Sequence, residues 1–163
     1  MVKLYHLSCR VFAKEIILKP RMFRECMYES GGKRICLAPS IQDCANALYG
    51  LMYGGGFVPK GLCSVYEVDI DEHDVHFIPN RFIVDMRLVF DGDQYGECWV
   101  TKPIAAHRVA LVKVKPSKEF KSFEPLRLIR RARHDQTGAG DGGALMYTLT
   151  ECFYNVMTVK YVK

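Results

Sequence analysis

The sequence predicts one α+β domain in which short strands outnumber helices. The chain has 163 residues, of which 49% are hydrophobic and 25% charged, and these values suit a single globular domain with its own core. Apolar and polar residues alternate in several short segments, and turns rich in glycine or proline separate these segments. No apolar run reaches the ~18–20 residues that a membrane-spanning helix needs. We therefore expect a folded domain that does not engage a membrane.

Most of the strand predictions depend on short runs of alternating or continuous apolar residues. The clearest are the runs LCSVYEVDI and RVALVKVK, which alternate as half-buried strands do. The segment 14–20 carries no clear pattern and is left unassigned. Strands are predicted over 2–7, 34–38, 62–70, 81–90, 98–101 and 108–115.

One helix has a clear start signal. Ser40 follows a proline and can cap the helix, and Asp43 falls in its first turn. The residues 125–134 predict a second, basic helix, and the apolar segment 144–159 is compatible with either a helix or a strand. We expect residues 1–116 to form the core and residues 117–163 to form a basic extension packed on the same domain.

Positive charge is concentrated near the end of the chain. The net charge is +5, and residues 117–163 carry 8 basic against 5 acidic residues. Such a cluster is either a solvated helix face or a docking surface for a nucleic acid or an acidic protein. The cluster, which we take as the candidate target-binding surface, consists of Arg127, Arg130, Arg131 and Arg133.

The seven cysteines favour a reducing compartment. Their number is odd and no two of them form a C-x-x-C pair, so neither a disulfide framework nor a structural zinc site is indicated. We expect reduced thiols and a cytoplasmic protein. His73 and His76 lie among four acidic residues, and we interpret them as a solvated turn in preference to a metal site.

Three motifs carry the functional argument, and their order matters more than any one of them. The first is H-L-S at 6–8, where a strand ends. The second is I-C-L-A at 35–38, which leads into D-C-A-N-A at 43–47. The third is G-E-C-W-V-T-K at 96–102.

Together the motifs resemble the diphtheria-toxin-like ADP-ribosyltransferase fold, in its poly- and mono-ADP-ribose polymerase branch. That branch has an H-G-S/T strand end, a G-I-Y-F-A-like strand before a helix, and a late strand that begins with the catalytic glutamate. The resemblance covers residues 1–116 and implies a split, antiparallel-rich sheet around an NAD cleft. In this sequence Leu7 replaces the glycine, and Cys36 and Ala47 replace two tyrosines.

The resemblance implies a role for each matching residue. Glu97 would be the catalytic carboxylate that stabilises cationic character on the ribose of NAD, a demand that glycosidases also meet. His6 would bind a ribose hydroxyl and Ser8 the nicotinamide amide. Cys36 and Ser40 would lie at the NAD site, and Tyr49 is a candidate for the missing aromatic face. The chemistry needs no metal.

The sequence therefore predicts a mono-ADP-ribosyltransferase that modifies a macromolecule, either a protein or a nucleic acid. Its small size would suit a bacterial or phage toxin or counter-defence protein. One alternative is a catalytically weak module that binds a nucleotide or a partner, which the missing tyrosines favour. Another is an RNA 2′-phosphotransferase-like enzyme, although that chemistry relies on arginines more than on a glutamate at a strand start.

Overall fold

The computed structural model describes residues 1–22, 32–50, 59, 61–86, 95–117 and 157–163. Within them the chain is α+β, with antiparallel strands in the majority, as the sequence predicts. The elements in chain order are β1 (Val2–Ser8), β2 (Glu15–Leu18), β3 (Ile35–Leu37), α1 (Ile41–Gly50), β4 (Leu62–Ile70), β5 (Phe77–Ile78), α2 (Asn80–Asp85), β6 (Cys98–Val100), β7 (Ile104–Pro116) and β8 (Met157–Val162).

The described strands form two sheets. The larger has the order β1-β4-β7-β2, and β8 also pairs with β7. Strand β7 is long enough to hold both partners on one edge, because β2 pairs with its first four residues and β8 with its last six. The smaller sheet has the order β3-β6-β5. All of the strand pairs are antiparallel.

The two faces of the larger sheet pack against different parts of the structure. Alternation along β1 sends Leu4 toward the smaller sheet, where it packs in one apolar cluster with Leu37 and Val100. Its neighbours Tyr5 and Leu7 point the other way and pack with Ala45 of α1. The larger sheet thus lies between α1 and the smaller sheet, and both of its faces are covered.

A short backbone bridge joins the two sheets. The amide of Tyr5 donates to the carbonyl of Ala38 at 2.8 Å, and the amide of Ala38 donates to the carbonyl of Tyr5 at 3.0 Å. Ala38 directly follows β3, whereas Tyr5 lies in the edge strand β1. The sheets are therefore tied at this point, which we call the sheet joint.

The strand predicted over 81–90 is wrong at its start. Residues Asn80–Asp85 form the short helix α2, which begins after Pro79, and residues 87–90 of the predicted strand lie outside the described ranges. The sequence N-R-F-I-V-D has β-branched residues that favour strands. In the structure only Ile83 of this helix is buried, while Phe82 and Val84 are exposed. One buried residue per turn suits a helix, because an alternating strand would bury every second residue.

The start of helix α1 is confirmed, because the helix begins directly after Ser40. Two short strands were not predicted: β2, which lies in the unassigned segment 14–20, and β5. Of the C-terminal extension, the structure describes β8, which pairs with β7 and buries Met157. The basic helix predicted over 125–134 lies outside the described residues.

Candidate functional site

The site is built next to the sheet joint, around Cys36. His6 follows Tyr5 in β1, and its Nδ1 lies 3.0 Å from the carbonyl oxygen of Cys36. Glu97 directly precedes β6, which pairs with β3 so that Cys36 lies opposite Trp99. The negative charge of Glu97 lies close enough to the Cys36 thiol to raise the pKa of that thiol. Cys36 therefore contacts His6 through its backbone carbonyl and has its side chain near Glu97.

The hydrogen bond to Cys36 fixes the tautomer of His6. A carbonyl oxygen only accepts hydrogen bonds, so Nδ1 must carry the proton and Nε2 is the acceptor nitrogen of the neutral ring. Burial lowers the pKa of His6 below its ordinary value of 6.5, and the nearby positive charge of Arg21 lowers it further. The ring is thus neutral at pH 7 and presents an acceptor that suits a hydroxyl group.

A hydrogen bond from Trp99 holds the carboxylate of Glu97. The indole Nε1 of Trp99 donates to Glu97 Oε1 at 2.6 Å. Burial raises the pKa of the nearby Cys36 thiol well above its usual range, and the negative charge of Glu97 raises it further. Cys36 therefore keeps its proton at pH 7. The Glu97 side chain itself is only partly buried, so the oriented carboxylate retains access to the surface.

The backbone at Glu97 is also constrained. Gly96 has φ +58°, which L side chains rarely adopt, and a Cβ at this position would lie 2.9 Å from Cγ of Pro39. The side-chain amide of Asn80, the first residue of α2, donates to the carbonyl of Glu97 at 3.0 Å. The G-E pair of the third motif is thus a tight turn that places Glu97 beside the segment leading from β3 into α1.

A buried cation stacks on Trp99, the residue that donates to this carboxylate. Arg34 is 3% exposed, and its guanidinium carbon lies 4.1 Å from the centre of the Trp99 ring. Such stacking is favourable because the ring face carries negative partial charge. Arg34 also lies close enough to Cys36 to interact with its thiol. Sequence reasoning missed both Arg34 and Trp99, although alternation places Arg34 on the face of Cys36 and Trp99 on the face of Glu97.

The other predicted NAD-binding residues lie apart from this cluster or are not described. Ser8 shares the strand face of His6, and its hydroxyl accepts from the amides of Arg10 and Val11 at 3.4 and 3.3 Å. Ser40 caps α1, accepting from the Asp43 amide at 3.1 Å and donating to the Asp43 carboxylate. The side chain of Tyr49 lies outside the described part. So does the predicted target-binding cluster of Arg127, Arg130, Arg131 and Arg133.

The position of Leu7 in the structure explains why leucine can stand where the resembled family has glycine. Because side chains alternate along β1, Leu7 packs with the cluster beneath α1, on the face opposite His6. Its side chain therefore adds no bulk on the side where His6 meets Cys36. A larger residue than glycine is compatible with the cluster at this position.

The histidines of the acidic segment belong to a well-ordered turn. Asp71 and Asp74 accept from the amides of His73 and His76 at 3.0 and 2.9 Å, and Asp74 also pairs with Lys102. In the described ranges, no group of three or more histidine, cysteine, aspartate or glutamate side chains is arranged to hold a metal ion. The described helices likewise include none long and apolar enough to cross a membrane.

Comparisons with known proteins add no relative from which a role can be carried over. No family model, no curated protein and no solved structure matches the chain.

Proposed function

We propose that the protein transfers ADP-ribose from NAD to a macromolecular acceptor, with Glu97 as the catalytic carboxylate. The observation that supports this proposal best is the cluster itself. Three motifs that are distant in sequence supply His6, Cys36 and Glu97. His6 contacts the carbonyl of Cys36, and Glu97 lies near the Cys36 thiol. The order of these motifs is also the order in the family that the sequence resembles.

The proposed reaction places one electrostatic demand on the protein. Breaking the bond between nicotinamide and ribose removes electrons from the ribose, which gains the character of an oxocarbenium ion. A fixed carboxylate stabilises this charge best when it need not reorient during the reaction. The hydrogen bond from the Trp99 indole holds Glu97 in that way.

Neutral His6 would serve in binding. Its Nε2 can accept a hydrogen bond from a ribose hydroxyl, and the Cys36 carbonyl fixes the orientation of the ring. The hydroxyl of Ser8, on the same strand face, keeps its own proton for donation while it accepts from the backbone. These two side chains would orient the dinucleotide, and Glu97 would act in the transition state.

Glu97→Gln tests the proposal because it keeps the shape of the side chain and removes the charge. Loss of one such stabiliser typically lowers the rate ~10²–10³-fold. Affinity for NAD should change little, because the charge acts mainly in the transition state. The measurement is nicotinamide release from NAD, together with NAD binding by calorimetry.

Glu67→Gln is the matched control. Glu67 is also a partly buried carboxylate. It lies opposite Tyr5 on β4, so its side chain points to the face of the larger sheet away from His6, where it pairs with Lys3 and His107. The Glu67→Gln variant should release nicotinamide at the wild-type rate. Equal release by wild type and Glu97→Gln would contradict the proposal.

A nucleotide-binding module without turnover is the second candidate. The observation that favours it is Cys36, which occupies a tyrosine position of the family and has its thiol near Glu97. A thiol offers no aromatic face for a nicotinamide ring. Saturable NAD binding by a wild-type protein that releases no nicotinamide would establish this second function.

A further inference from the structure

Cys9 and Cys63 form a thiol pair at the far end of the β1–β4 ladder. Their sulfur atoms lie 3.2 Å apart, although the residues are 54 positions apart in sequence. Both cysteines are free, as are the other cysteines in the described ranges. Such a separation places the two sulfurs in direct contact, and only a small movement is needed to reach bonding distance.

The register of the strands explains this contact. Strand β1 pairs with β4 from Val2 opposite Ile70 through Ser8 opposite Ser64. Continuing by one residue places Cys9 directly opposite Cys63. The backbone of Tyr5 bonds to Ala38 and not to its partner Glu67. Because pairs alternate along an antiparallel ladder, Cys9 and Cys63 fall at a non-hydrogen-bonded position, where side chains approach most closely.

The two thiols differ in their surroundings. Cys63 is fully buried in the cluster beneath α1, whereas Cys9 is partly exposed at the edge of that cluster. The two thiols share one hydrogen bond, in which either sulfur can be the donor. This contact with Cys63 lowers the pKa of Cys9, and the adjacent Arg10 lowers it further. Cys9 is thus the more accessible and more nucleophilic member of the pair.

The described cysteines elsewhere lack these properties. Burial raises the pKa of Cys44 to about 12, and it also raises the pKa values of Cys36 and Cys98. Thiols of this kind react slowly, because the thiolate is the attacking species. An oxidant should therefore act first at Cys9.

We propose that Cys9 and Cys63 are a modification site at which a low-molecular-weight disulfide forms a reversible intramolecular disulfide bond. With oxidised glutathione, the Cys9 thiolate attacks one glutathione sulfur and releases one glutathione thiolate. Cys63 then loses its proton and attacks the Cys9 sulfur, which releases the second glutathione. Two cysteine thiols are oxidised, one external disulfide is reduced, and the two protons end on the two released glutathiones. This site does not depend on the proposed transfer reaction.

Such a bond would fasten the point where the chain leaves β1. The segment after Cys9 is held through its carbonyls, since the Tyr66 hydroxyl donates to Val11 and Ala13 at 3.2 and 2.9 Å. The bond would add a covalent link at the start of that segment, three residues from His6. In a reducing cytosol the pair would stay reduced until the glutathione pool becomes oxidised.

The test is peptide mapping of the full-length protein after incubation in glutathione buffers of increasing oxidation. Free thiols are alkylated and the protein is digested with trypsin, which releases Cys9 in peptide 4–10 and Cys63 in peptide 61–81. We expect these two peptides to appear joined, to separate on reduction, and to be the first cysteine linkage that forms.

Cys9→Ser and Cys36→Ser are the paired variants. Cys9 is partly exposed, so its replacement should leave the fold intact and abolish the joined peptide. Cys36→Ser should retain it. Two results would overturn the proposal: glutathione that stays attached to Cys9 without transfer to Cys63, or a first cysteine linkage that joins peptides other than 4–10 and 61–81.

Discussion

Replacing Trp99 by Phe should show whether the indole holds the candidate catalytic carboxylate. The change removes the N–H group that donates to Glu97 at 2.6 Å and keeps an aromatic ring at a fully buried position. A hydrogen bond to a charged group contributes about 1.5–3 kcal/mol. The smaller ring leaves a void near the size of a methyl group, which costs ~1 kcal/mol. We expect the free energy of unfolding to fall by about 3 kcal/mol.

The decisive quantity is the coupling between Trp99→Phe and Glu97→Gln. A neutral acceptor at position 97 makes a bond about half as strong as the charged one. Trp99→Phe should therefore cost about 1–1.5 kcal/mol less in the Glu97→Gln background. The unfolding free energies of the wild type, the two single variants and the double variant are measured by urea unfolding. Far-UV circular dichroism is the signal, because Trp99 is the single tryptophan and its fluorescence is lost when it is replaced. Additivity within ~0.3–0.5 kcal/mol would refute the proposed contact.

Two further predictions concern His6 and Gly96. His6 has a lowered pKa in the folded state, so its stabilising effect is complete above the unfolded value of 6.5 and is lost as the pH falls below 6.5. His6→Gln should reduce the loss of unfolding free energy that the wild type shows between about pH 7 and 5. One such group contributes at most ~1.4 kcal/mol per pH unit to this loss. If the unfolding free energy of His6→Gln falls with pH as steeply as that of the wild type, the prediction is wrong. Gly96→Ala should lower the unfolding free energy more than Gly32→Ala does. Both glycines have positive φ, but an added Cβ clashes with Pro39 only at Gly96, so equal losses of ~1 kcal/mol in urea unfolding would show that the Pro39 contact is unimportant.

The sequence predicts β1, β4 and most of β7 because their apolar pattern is a local property, whereas it left β2 unassigned and the segment that contains the start of β8 open between helix and strand. In β1 and β4, hydrophobic side chains fill both faces of the strands, and short polar turns end them. The cap of α1 is equally local, since Ser40 and Asp43 are three residues apart. Such features need no knowledge of the tertiary structure.

Other features depend on contacts between distant segments, which no local pattern contains. Helix α2 has strand-like residues, yet tertiary packing buries Ile83 alone. The stacking of Arg34 on Trp99 joins residues 65 positions apart. The three motifs could be placed in order from the sequence, but their meeting at Cys36 required the register of β3 on β6.

The two halves of the site are held by different kinds of contact, and they should respond differently to substitution. His6 is placed by the sheet joint, which consists of backbone hydrogen bonds between Tyr5 and Ala38. Changes of side chain do not remove these bonds, so the position of His6 should tolerate variation around it. Glu97 is oriented by a hydrogen bond from the side chain of Trp99. Its orientation therefore depends on residue identity, and loss of this donor should impair Glu97 while the sheets remain folded.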